Sequence, residues 1–129
     1  MARTEKEQMF LELYNKANQA GHEAGIAHQP RPMIFTEADI HGNPKPDAVQ
    51  YYEPEGLCGF AWVVVKPATS SFARFLLKYK MARTGYYGGL QIWISEHDQS
   101  FERKQAHAEA MAKVLVEAGY NAYADSRLD

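Results

Sequence analysis

Five cations, Lys66, Arg74, Lys78, Lys80 and Arg83, stand in a stretch with no carboxylate between Glu55 and Glu96. Trp62, Tyr79, Tyr86, Tyr87 and Trp93 are interleaved with them. Phosphates are held by cationic donors, and a nucleobase stacks on an aromatic face for about 1–3 kcal/mol. Gly85, Gly88 and Gly89 bracket Tyr86-Tyr87, so that backbone N–H groups can approach a phosphate closely. The chemistry this predicts is capture of an anion that carries a flat ring. Its candidate residues are Arg74, Lys78, Lys80, Arg83, Tyr86, Tyr87 and Trp93. A plainer reading makes Trp62 and Tyr79 core residues and the lysines the solvated face of an amphipathic helix. No phosphate-binding loop of recognised spacing decides between the two.

A second set is Asp39, His41, His97 and Asp98. Asp39-Ile40-His41 presents two polar side chains on one face if extended, and Glu96-His97-Asp98 follows an apolar run. Carboxylates and imidazoles suit a divalent metal or a general acid–base pair. This is the alternative reading, a small metal-assisted hydrolase. No HExxH-type spacing links the two segments, and surface turns use His and Asp for turn chemistry as well. Cys58, flanked by Leu57, Gly59 and Phe60, reads as a small buried hydrophobe rather than a nucleophile. His107 reads as structural or exposed. No cofactor motif is present, and no cofactor is expected.

The elements that must position these residues follow from patterning. Thr4 with Glu7 is a capping box, and Met9, Phe10, Leu13, Tyr14, Ala17 and Ala20 continue one stripe. A helix is expected over 4–27, stopped by Pro30 and Pro32, its stripe resting on a sheet. Residues 33–53 read as a hairpin with a wide turn, the alternative being a long acidic loop. Two apolar runs, Gly59–Val65 and Leu90–Ile94, read as buried strands with a helical segment, Ser71 to Arg83, between them. Both faces of the first are apolar, so both are expected to be covered. The Gln91/Trp93/Ser95 face of the second is expected to be partly open. Asp98 or Ser100 caps a last helix through Phe101, Ala108, Met111, Ala112 and Leu115, and Gly119 ends it. A short strand over 120–124 closes the part spanning 59–124, which reads as β-α-β-α-β with partly parallel pairing.

The fold class expected is α+β: one domain of 129 residues with a mixed sheet of about four to five strands and helices mainly on one face. The net charge of −2 hides an asymmetry. Residues 37–55 sum to −4, residues 56–95 to +5 and the tail from Glu96 to −3. One cysteine excludes an internal disulfide framework or multi-cysteine zinc site. Met1-Ala-Arg-Thr-Glu has no apolar segment behind it, so no secretory signal and no membrane partner are expected.

Cys58-Gly59-Phe60-Ala61-Trp62-Val63, Gly85-Tyr86-Tyr87-Gly88-Gly89 and Ile92-Trp93-Ile94 form recognisable phrases. So do Gln99-Ser100, Arg103-Lys104, Ala106-His107-Ala108 and Ser126-Arg127-Leu128-Asp129. Together they resemble a family of small proteins encoded by tailed bacteriophages and prophages. The resemblance implies an accessory product in the bacterial host cytoplasm, or a minor virion component, and brings no catalytic or ligand set. With it, the expected function is a non-enzymatic binding protein that occupies a partner. That partner is an anionic ligand (nucleotide or nucleic acid) or a host or defence protein, and a twofold homo-oligomer through the Trp93 face is expected.

Overall fold

The computed structural model describes residues 4–36, 41–43, 45, 50–85 and 88–129. Helix α1 spans Glu5–Ala27. Its capping box is formed: Glu7 N–H donates to Thr4 Oγ1 at 3.1 Å and Thr4 N–H to Glu7 Oε1 at 3.3 Å. Strands β1 (Met33–Thr36) and β2 (Gln50–Glu53) pair antiparallel as the expected hairpin, Met33 opposite Glu53. The rest is β3 (Gly59–Lys66), α2 (Ser71–Lys78), β4 (Arg83–Thr84), β5 (Leu90–Trp93), α3 (Phe101–Glu117) and β6 (Asn121–Leu128).

The second sheet has the order β4-β5-β3-β6, and every neighbouring pair is antiparallel. The partly parallel pairing expected from the sequence is corrected. The crossovers exist, because β3 runs parallel to β4 and β5 parallel to β6. Each such pair is split by a strand inserted between its members, so no parallel neighbours result. This β-α-β-β-α-β arrangement is the split, ferredoxin-like topology. The short helix also ends sooner than expected: Lys80 turns left-handed (φ 59°) and Met81 N–H returns to Leu76 O at 2.8 Å, which frees Arg83 for β4. At the far end the strand is longer than 120–124, since β6 runs to Leu128 in register with β3 throughout.

One sheet face carries the core. Ala61, Val63, Val65, Leu90, Ile92 and Ala122 are buried beneath Phe72, Leu76, Met111 and Leu115 of the helices. Each fully buried large aliphatic side chain contributes roughly 1.5–3 kcal/mol. Contrary to the expected sheet contact, α1 packs chiefly on α3 and reaches α2 where Phe10 meets Phe72 and Phe75, each at 5.5 Å. Met9 of its stripe is exposed instead. The expectation that both faces of β3 are covered is also corrected. No described helix packs on the Phe60/Trp62/Val64 side, where aromatic rings shield one another. Among the described residues, no helix is long and apolar enough to cross a membrane.

Candidate functional site

The strand period of two puts Phe60, Trp62 and Val64 of β3 on the side away from the helices, with Gln91 and Trp93 of β5. Register aligns them: Trp62 sits opposite Trp93 and Asp125, Val64 opposite Gln91 and Tyr123, Phe60 opposite Arg127. The two tryptophan rings stack at 4.7 Å between centroids and 22° between planes. Arg83 of β4 lays its guanidinium 4.1 Å from the Trp93 centroid, approaching from the strand opposite to Trp62. Arg127 lies 5.3 Å from the Phe60 ring and Lys66 Nζ 5.5 Å from the Tyr123 ring. Trp93 Nε1 donates to Gln91 Oε1 at 3.0 Å, which fixes its ring, whereas Trp62 Nε1 is buried without a partner. A shallow cavity of about 570 Å³ runs between these side chains, floored by Trp62 and Val64.

Arg83, Arg127 and Lys66 have no carboxylate within ion-pair distance among the described residues and lie against aromatic rings instead. A guanidinium lying on an indole while lacking an acidic partner keeps its charge for a ligand. Among the described residues Asp125 is the one acid that borders the cavity, and its Oδ1 accepts from Ser126 N–H at 2.8 Å.

The expected anion site is thus only partly assembled. Arg83 and Trp93 stand on this face, and Lys80 lines an adjoining hollow with them. Lys78 is elsewhere: it bonds Glu7 on α1 at 3.0 Å, which holds the Glu7 carboxyl below its usual range and the Lys78 amine above. Arg74 shares that helix-side groove with Lys78 and Phe10. Tyr86 and Tyr87 lie outside the described residues. Trp62, which the sequence left open between stacking ring and core, stands on this face, and missed as part of it were Tyr123 and Arg127, which only the β6 register brings alongside.

The histidine and carboxylate residues divide in the same way. Asp39 lies outside the described residues, and His41 is exposed on the hairpin turn. His97 and Asp98 form a tight turn after β5 with φ of 70° and 49°, left-handed backbone that costs non-glycine residues about 1–3 kcal/mol each. Asp98 points to solvent. The turn drives His97 inward, where its Nε2 lies 3.0 Å from His107 Nδ1. His107 Nε2 lies 3.0 Å from Asn18 Oδ1. An amide oxygen only accepts, so His107 carries its proton on Nε2 and takes one from His97 at Nδ1. His107 is fully buried, and burial pushes its pKa down from 6.5 to about 4. Burial lowers that of His97 as well, against the opposing pull of Glu96.

Two glycines of α1 make room for these rings. A Cβ on Gly21 would lie 2.3 Å from His107 Cδ2 and 2.8 Å from its backbone oxygen. One on Gly25 would lie 2.3 Å from His97 Nε2. Gly21→Ala gains about 1 kcal/mol of helix propensity but overlaps a backbone atom that cannot yield. The expected net result is a loss of about 2 kcal/mol by urea denaturation. Gly25→Ala meets only the His97 ring, which can yield by giving up its bond to His107, and is expected to cost less, about 1 kcal/mol. Equal effects of the two changes would contradict this packing. The spacing Gly21/Gly25, one turn apart and beside His22, was the sequence signal for this close approach.

Cys58 is corrected from buried to exposed. It borders a cavity of about 540 Å³ with Ile26, Glu55, Ser100 and Arg103. Arg103 closes one side structurally: Nη1 donates to the carbonyls of Gly25 (2.9 Å) and Ile26 (2.8 Å), and Nε to Glu55 at 2.6 Å. It therefore caps the C-terminal end of α1.

No family model, curated protein or solved structure matches the chain in comparisons with known proteins. The functional reading accordingly rests on the geometry of these two regions.

Proposed function

We propose that this protein is a non-enzymatic binding module whose uncovered sheet face holds an anionic, ring-bearing ligand, a single-stranded nucleic acid or a nucleotide. The observation that supports this most is Arg83 lying on the stacked Trp93–Trp62 pair without an acidic partner among the described residues. Sheet faces with aromatics on the two central strands stack unpaired bases in other nucleic-acid binders of four-stranded build. Here Trp62 and Trp93 occupy the central strands β3 and β5, while Arg83, Arg127 and Lys66 surround them at phosphate-binding reach. The ligand ring displaces Arg83 from Trp93, or enters from the β6 side against Trp62. In the phage setting the resemblance implies, the protein acts by occupying such a partner in the bacterial cytoplasm.

The test is titration with a fluorescent oligothymidylate at two salt concentrations. Binding is expected to weaken steeply as salt rises, because counterions are released from the phosphates. The double change Arg83→Glu, Arg127→Glu is expected to cost at least about tenfold in affinity and to flatten the salt slope. Salt-independent binding, or none, would defeat the proposal. A second copy of the chain is the other natural cover for such a face. Sedimentation showing a dimer that Trp93→Ala dissociates, with no oligonucleotide bound, would favour that occupant.

A further inference from the structure

We propose that His22, Glu96 and His97 form a binding site for one borderline divalent cation, of the zinc, cobalt or nickel type, at the seam between α1 and the turn after β5. One ring nitrogen of each histidine and a carboxylate oxygen of Glu96 lie within 4.8 Å of one another. Two imidazoles and a carboxylate are the donor set such ions select over calcium or magnesium. The site stands apart from the sheet face, and neither depends on the other.

Without a cation the cluster is poorly satisfied. His22 Nδ1 is shut off from solvent and makes no hydrogen bond of acceptable geometry, although Glu96 Oε1 is only 2.9 Å away. The second oxygen, Oε2, lies 3.3 Å from His107 Nδ1, a nitrogen already accepting from His97. Electron-rich atoms therefore crowd one point from several directions, and a positive ion there relieves them together.

The surroundings are built for it in three ways. The left-handed turn at His97 and Asp98 holds the imidazole against α1 at a backbone cost. Gly25 leaves the space that this ring needs. The chain from His97 through His107 to Asn18 orients the ring, as the outer hydrogen bonds of metal-bound histidines do. His22 and Glu96 are each more than a third exposed, so an ion has an entry path. Tetrahedral bonds of 2.0–2.1 Å place ligand atoms about 3.4 Å apart; His22 Nδ1 and Glu96 Oε1 are already at 2.9 Å and all three groups lie within 4.8 Å, so adjustments of about an ångström complete the set. Three protein ligands leave a position for water or a small anion.

Calorimetric titration of chelator-treated protein with zinc chloride, repeated with cobalt chloride and read by visible absorption, tests the assignment. One ion per chain is expected, with tetrahedral cobalt bands and an upward shift in Tm. His22→Ala, a substitution at a half-exposed position, is expected to lower affinity at least about tenfold, and with His97→Ala to abolish binding. Asn18→Ala, which removes an orienting bond but no ligand, is expected to weaken binding about tenfold with one site retained. His41→Ala is expected to change nothing. Failure to take up a stoichiometric ion, or equal uptake by the His22→Ala, His97→Ala variant, would overturn the proposal.

Discussion

Lowering the pH from 6.5 to 4 in the presence of chelator is expected to remove about 3 kcal/mol of folding stability through His107 alone. The unfolded histidine takes up a proton near pH 6.5, whereas the buried one resists until about pH 4. Between those values the unfolded state binds more protons, so stability is full above the window and falls as acid is added. His97, shifted in the same direction by burial, adds to the slope. The carboxylates held low, Glu7 by Lys78 and Glu102 by His28, add a loss of their own as pH falls through their usual value of 4.5, at the acid end of this window only. Urea denaturation at half-unit pH steps reads the effect. His107→Gln keeps a donor for Asn18 but has no proton to gain, so its curve is expected to be flatter although its baseline is lower. An identical slope in that variant would place the titrating group elsewhere.

Trp93→Ala is expected to cost oligothymidylate affinity tenfold to a hundredfold, the equivalent of about 1–3 kcal/mol for one lost stacking surface. Two contacts go together, because the indole is both the stacking partner of Trp62 and the seat of Arg83. Trp93→Phe retains a flat ring and is expected to keep most of the affinity. Trp93 is only half-buried, and the adjoining core residues Ile92 and Ile94 point to the opposite face, so the fold is expected to survive the change. Tryptophan fluorescence gives a second readout: ligand stacking quenches the wild type, and quenching that persists unchanged in the variant, whose one remaining tryptophan is Trp62, would place the ligand ring on Trp62 rather than on Trp93.

Sequence patterning carried the helices well, because capping and apolar spacing are local properties. Thr4, Ser100 and Gly119 mark boundaries that the structure keeps. Pairing direction was not legible. Alternating strands and helices specify a crossover, but nothing local says whether a third strand will slip between the two that it joins. The candidate sites were only partly legible for the same reason. Lys78 and Arg83 are five positions apart and part company because Lys80 reverses the chain. Trp62 read as interior since its strand is apolar on both faces, yet the face is finished by rings and cations from β4, β5 and β6. His22 and His97 come from distant segments, and only the packing of α1 on α3 makes them neighbours.

The register of β6 carries one more consequence. Val63 in the middle of the sheet pairs with Ala124, and Gly59 with Leu128. The most buried strand is thus left with a bare flank during synthesis until residues 121–128 have been made. A nascent chain stalled before residue 121 would offer that flank to other extended segments, including its own kind. Released chains ending before residue 121 are expected to engage chaperones, and those extended through Leu128 to escape them.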